Sequence, residues 1–172
     1  MKYLILAFAA SFAFMAPVGA IDPDAMTPQE YTVIERNCKS AQRAIQRVEY
    51  VDPISRVNRG VVYNNLSKLM TALTSRAAYN AYSIPLLSDE TRAIQDQRTQ
   101  FAKDYTEYEM SLREVINYDC TKDPRQFYRE LVDVRAKRAV VALRVREIDR
   151  HLDVFTSGIL QLESQVKAKV AQ

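Results

Sequence analysis

From Phe127 to Val166 the apolar residues recur in alternating steps of four and three: Phe127, Leu131, Val134, Val141, Val145, Ile148, Leu152, Phe155, Ile159, Leu162 and Val166, with Arg138 in the one vacant place between Val134 and Val141. A straight α-helix drifts by about 20° per heptad against such a repeat, so a register held this long calls for a left-handed supercoil against another helix. At about 1.5 Å per residue the stretch from Pro124 to Val170 makes a rod of about 70 Å. A lone amphipathic rod of that length is not stable in water. The rest of the chain has to supply its partners.

What remains is suited to that task. The chain of 172 residues is long enough for one domain, with 48% hydrophobic and 26% charged residues, a globular composition. Only three glycines and six prolines interrupt it, which favours long helices over short strands joined by turns. No window shows the period-two alternation of a strand. The formal charge of +3 is too small to argue for nucleic acid.

The first twenty residues read as a secretory signal peptide. Lys2 opens it, Leu4 to Met15 is an apolar core, and Val18-Gly19-Ala20 is a small-residue cleavage site. Cleavage near Ala20 would release residues 21–172 as a single helical domain, exported to the periplasm, the envelope or the exterior. An uncleaved segment is the alternative, and the one route to a membrane in this reading. Two cysteines remain, Cys38 and Cys120. In an exported chain they are expected to form one disulfide.

Helix boundaries follow from caps and prolines. Thr27-Pro28-Gln29-Glu30 carries a capping residue, a proline for the first turn and the glutamate of a capping box. The helix it starts has the seam Tyr31, Ile34, Cys38, Ala41, Ile45 and Val48. Asp52-Pro53 is expected to end it, because the residue before a proline is pushed out of the helical region, and Asp52 can cap the helix that follows. Four helices result, at about 28–51, 54–82, 88–118 and 124–170. The second has a stripe wide enough for two neighbours, from Val62 and Tyr63 to Leu73 and Ala77. The third takes Ser88 as its cap, and Asp123-Pro124 opens the fourth. The expectation is an all-α, elongated antiparallel bundle, a coiled-coil hairpin of about four helices with one disulfide.

The last two helices form the hairpin, because the link between them is too short for anything else. Their charges agree: Asp89 to Asp119 holds eight acids and four bases, Arg125 to Lys169 ten bases and six acids. A flush bundle would leave Cys38 too far from Cys120 to bond, so a stagger is expected, with the turn between the first two helices projecting beyond the turn between the last two. Counted from the turn near Thr121, Leu152 falls opposite Glu90. The seam of Phe155, Ile159, Leu162 and Val166 then overhangs the third helix and becomes the candidate partner interface, for another protein or for a second copy.

Chemistry is sparse. His151 is the only histidine, and Ile148 stands where a di-iron bundle would carry a carboxylate three residues before it. No metal, cofactor or catalytic group is expected. Arg135, Lys137, Arg144, Arg146 and Arg150 form a candidate basic patch, largely accounted for by pairing with the acidic third helix. Arg138, in the seam, is expected to meet Asp104, Glu107 or Glu109.

Arg56-x-Asn58-Arg59-Gly60, with Tyr63 after it and the two cysteines on either side, resembles small secreted helical proteins of ultrasmall, host-dependent bacteria. The resemblance implies no function. The residues themselves point to an exported, non-enzymatic helical protein that acts by protein–protein contact at the cell envelope. The alternatives are a periplasmic holdase chaperone, or a bundle holding an apolar or cell-wall ligand among Phe101, Tyr105 and Phe155.

Overall fold

The computed structural model describes residues 21–171; the expected signal segment, residues 1–20, lies outside them. Among the described residues there are three helices and no strand: α1 (Pro28–Tyr79), α2 (Pro85–Asn117) and α3 (Pro124–Val170). They pack as an antiparallel three-helix bundle closed by a Cys38–Cys120 disulfide with Cα atoms 5.8 Å apart.

The N-termini follow local chemistry. Thr27 and Glu30 close a reciprocal capping box at the head of α1. Asp123 Oδ1 accepts from the Gln126 amide at the head of α3. The expected start of the next helix at Ser88 is corrected to Pro85, whose fixed φ suits a first helical turn. The α1–α2 link turns at Ala81, which holds the left-handed φ of 58°. The Tyr82 amide donates back to the Ala77 carbonyl, closing the end of α1.

The main correction is at Asp52-Pro53. The helix does not end there: α1 runs through Pro53 for 52 residues, so the bundle has three helices and not four. Pro53 removes one backbone hydrogen bond, at a cost of about 3 kcal/mol in a helix interior. Packing on both sides of it offsets that cost. Cys38 and Ile45 before the proline, and Tyr63 after it, enter the same core cluster on the α2–α3 hairpin. A turn at residue 52 would have taken one side off that surface. The continuous helix also resolves the cysteine distance, because Cys38 reaches the α2–α3 turn without any turn in α1.

Two apolar clusters fill the bundle. The larger joins Cys38, Ile45 and Tyr63 of α1 to Phe101 through Val115 of α2 and Phe127, Val134 and Ile148 of α3. The smaller gathers Met70 and Ala77 of α1, Leu87 and Ile94 of α2, and Phe155 and Leu162 of α3. Leu152 packs against both. Tyr63, Phe101, Tyr105 and Tyr108 form a continuous aromatic ladder, with successive centroids 5.7 to 6.0 Å apart.

Candidate functional site

The long unbroken α1 has two distinct faces. The inward one carries a polar junction beside Pro53. Asp52, free of any capping duty, accepts from the Tyr108 hydroxyl at 2.6 Å and from Arg138 at 3.4 Å. One turn on, Arg56 lies 4.9 Å from the centre of the Tyr105 ring and pairs with Glu109 at 3.5 Å. Burial, together with the Asp52 and Glu109 charges, pushes the Tyr105 hydroxyl up to about 12. Burial also raises Tyr108, and its hydrogen bond to Asp52 adds to the shift. Both phenols are held in the protonated form, and that of Tyr108 donates to Asp52. The junction therefore reads as a fastening between α1 and the hairpin. The expected partner of Arg138 is corrected accordingly: it is Asp52 of α1, and Asp104 instead holds Arg144 at 2.7 Å.

Gln42 fastens the other end. Its side-chain amide donates to the Ile116 and Tyr118 carbonyls at 2.7 and 2.8 Å, satisfying groups that the end of α2 leaves open. Nothing in the sequence pattern singles out Gln42, because its value depends on the level at which α1 meets the tip of the hairpin.

The outward face is different. Tyr50, Val51, Ile54, Val57, Val61 and Val62 are each more than half exposed. At about 100° per residue they fall within an arc of about 140°, over about four turns, opposite Ile45, Tyr63 and Met70. Large contiguous apolar patches are uncommon on the surface of a monomer and mark contact sites. The wide stripe read around Val62 to Ala77 is split accordingly. Tyr63, Met70 and Ala77 are buried, while Val62 and Leu69 face outward at 53% and 68% exposure. The signal was present in the sequence, as an uncharged run on one face between Arg47 and Lys68, but it becomes a stripe only when the helix continues through Pro53.

The expected C-terminal interface is placed largely inside the chain. Phe155 and Leu162 are buried against α1 and α2, while Ile159 and Val166 sit at the margin, 37% and 36% exposed. α1 reaches the overhang because it runs on to Tyr79. The tip is tied further by Gln165, whose amide bonds both backbone groups of Ser83, and by Lys169, which donates to the Asn80 carbonyl and lies 5.0 Å from the Tyr82 ring. At Gly158 an added Cβ would come within 2.7 Å of Leu87 Cδ2, so α3 approaches α2 closely here.

The basic patch divides. Arg144 pairs with Asp104, Lys137 with Asp133 and Arg150 with Glu147, while Arg135 and Arg146 make no ion pair among the described residues. His151 Nδ1 lies 2.6 Å from Glu90 Oε2 across the hairpin, at the level counted for Leu152. Phe101 and Tyr105 fill one core cluster and Phe155 the other, so the three do not line a common cavity. No protein-family model, curated protein or solved structure matches the chain.

Proposed function

We propose that the protein is an exported, non-catalytic contact protein of the cell envelope, a disulfide-braced bundle that works through one face rather than through an enclosed site. The observation that carries this reading is the outward strip of α1, Tyr50 to Val62, six large apolar side chains left open in a bundle whose other apolar seams are mostly covered. The burial of Phe155 and Leu162 supports taking α1, rather than Phe155 to Val166, as the working surface. A photo-reactive phenylalanine analogue at Val57, compared with one at the exposed Glu163 of α3, tests it in isolated envelopes. Adducts to protein or lipid confined to position 57 are expected. Equal labelling at both positions, or none at 57, sinks the reading.

A further inference from the structure

The strip on α1 is set within a one-signed charge pattern. Between Arg36 and Arg76 the helix carries eight bases and only two acids, Glu49 and Asp52. Both acids turn away from the strip: Glu49 meets Arg113 of α2, and Asp52 meets Tyr108 and Arg138. Arg36, Arg43, Arg47, Lys68 and Arg76 are exposed and make no ion pair among the described residues. At about 100° per residue these five fall within about 80° of arc, centred on the apolar strip. The face is therefore apolar in the middle, basic at both ends, and free of acids for about 60 Å.

Charge decides against a second copy of the chain as the occupant. An antiparallel pair that sets Ile54 against Val57 and Tyr50 against Val61 also sets Arg43 against Lys68, and a parallel pair sets each arginine against itself. The occupant must carry negative charge. Its shape follows from α1, which presents the side of one cylinder, a convex ridge rather than a groove. The hollow next to it, between α1 and α2, is lined mostly by polar and charged residues, among them Asn64, Lys68, Thr71, Gln95 and Arg98, with Ala72 the one aliphatic side chain. A planar acceptor meets a convex ridge along its whole length, whereas a peptide would need a groove for its own apolar side chains.

We infer that α1 seats the protein on an anionic lipid surface, lying in the plane of the interface with Tyr50 to Val62 in the headgroup–acyl boundary and the flanking bases among the phosphates; this rests on the contact reading above and names the surface. Tyrosine and aliphatic side chains suit that depth. No described helix is long and apolar enough to cross a membrane, so the protein lies on the bilayer through this face. α2, with its excess of acids, sits behind α1 and away from the phosphates.

Co-sedimentation tests this with the chain from Ile21 onward, which contains every described residue and lacks the apolar segment 4–15. The probes are phosphatidylcholine vesicles, alone and with about 30 mol% phosphatidylglycerol. Partitioning at least about tenfold stronger on the anionic vesicles is expected, at about fivefold per engaged base. Arg43→Gln, Arg47→Gln and Lys68→Gln together should weaken it about 100-fold. Ile54→Asn, Val57→Asn and Val61→Asn together should weaken it by more than about tenfold, while Val140→Asn with Leu143→Asn on α3 should change it by less than about twofold. Equal binding to both vesicles, no binding to either, or the same loss from the α3 pair overturns the assignment. Failure on vesicles with protein adducts at Val57 leaves the contact reading standing and makes the occupant an acidic protein. Failure on vesicles without any adduct at Val57 removes both.

Discussion

α1 and α3 are rods of similar length, 52 and 47 residues, and they place their apolar side chains differently. On α3 the exposed large hydrophobics sit mostly at the margin of burial, as with Val140, Leu143, Ile159 and Val166; only Leu160 and Val170 are more than half open. On α1 nine are more than half open, and six of those fall between residues 50 and 62. α3 interlocks with α2 along the whole of that helix. α1 rests on the hairpin with one side and is fastened at points: the disulfide, Gln42, the Asp52 junction and the Met70–Ala77 end. The difference separates the part of the molecule that makes the fold from the part left free to meet something else.

The strongest way to break that division is to release the fastening. The disulfide closes a separation of 82 residues, worth about 4 to 5 kcal/mol by loop-closure entropy. Reduction, or Cys38→Ala with Cys120→Ala, should lower the unfolding free energy in urea by about that amount. Hydrogen exchange should rise first in the N-terminal half of α1. A loss below about 1 kcal/mol, or exchange rising equally in α2 and α3, would show that α1 is an equal partner in the core.

Truncations on the two rods sharpen the contrast. Phe127 of α3 is almost fully buried in the larger cluster, and Phe127→Ala should cost about 3 to 5 kcal/mol. Val57→Ala on the outward strip of α1 should stay within about 0.5 kcal/mol. Thermal unfolding of the two variants checks both. A large cost at Val57 would mean that the strip is covered within the free protein.

How much of this was legible in the sequence follows the range of each interaction. Thr27 with Glu30, and Asp123 with Gln126, are contacts within one helical turn, and the residues alone announce them. Cys38 belongs to a seam, and its inward position follows from spacing. Asp52-Pro53 misleads for a physical reason: the local rule against a helix before proline is a preference of a few kcal/mol, and packing along the hairpin exceeds it. That one break carried the other errors with it. Ending a helix at residue 51 turned Asp52 into a cap, sent Arg138 to look for acids on the neighbouring helix of the hairpin, and left Phe155 and Leu162 without cover. It also hid the strip from Tyr50 to Val62, by dividing its members between the end of one helix and the start of the next.

The inward junction has a signature in pH. Tyr63, Tyr105 and Tyr108 all have raised hydroxyls, chiefly through burial, with Tyr105 at about 12 against 10.0 when unfolded. A group raised on folding contributes stability that is complete below its unfolded value and is lost as pH climbs through the folded one. The melting temperature should therefore hold up to about pH 10 and fall steeply toward 12. Circular dichroism and the share of tyrosinate absorbance that belongs to these three buried phenols, taken as the difference from variants carrying Phe at each position, should move together, since they ionise as the bundle opens. Tyr108→Phe, which leaves Asp52 with Arg138 alone, should cost about 1 to 2 kcal/mol at neutral pH. An alkaline transition in which Tyr105 and Tyr108 themselves form tyrosinate with the helices intact would remove the fastening role from the junction.

The smallest effects divide the rods most cleanly, because they change a single methyl group. Gly60 lies in α1 just past the proline, and an added Cβ there would meet nothing within 4 Å. Gly60→Ala should stabilise the protein by about 0.5 to 1 kcal/mol through helix propensity alone. Gly158 lies in α3, where the same methyl would press on the buried Leu87 at 2.7 Å. The propensity gain there is opposed by a contact that Leu87, held in the smaller cluster, can relieve only by shifting its neighbours. Gly158→Ala should therefore be neutral or destabilising, and Gly158→Val should lose about 1 to 3 kcal/mol. Ala81→Gly, relieving the left-handed residue in the link, should gain up to about 1 kcal/mol and serves as the control for a purely local effect. Urea midpoints of the four single variants give the comparison directly. If Gly60→Ala destabilises while Ala81→Gly gains as expected, then something already rests against the outward face of α1 in the isolated protein, and that face is not the open surface its exposed valines describe.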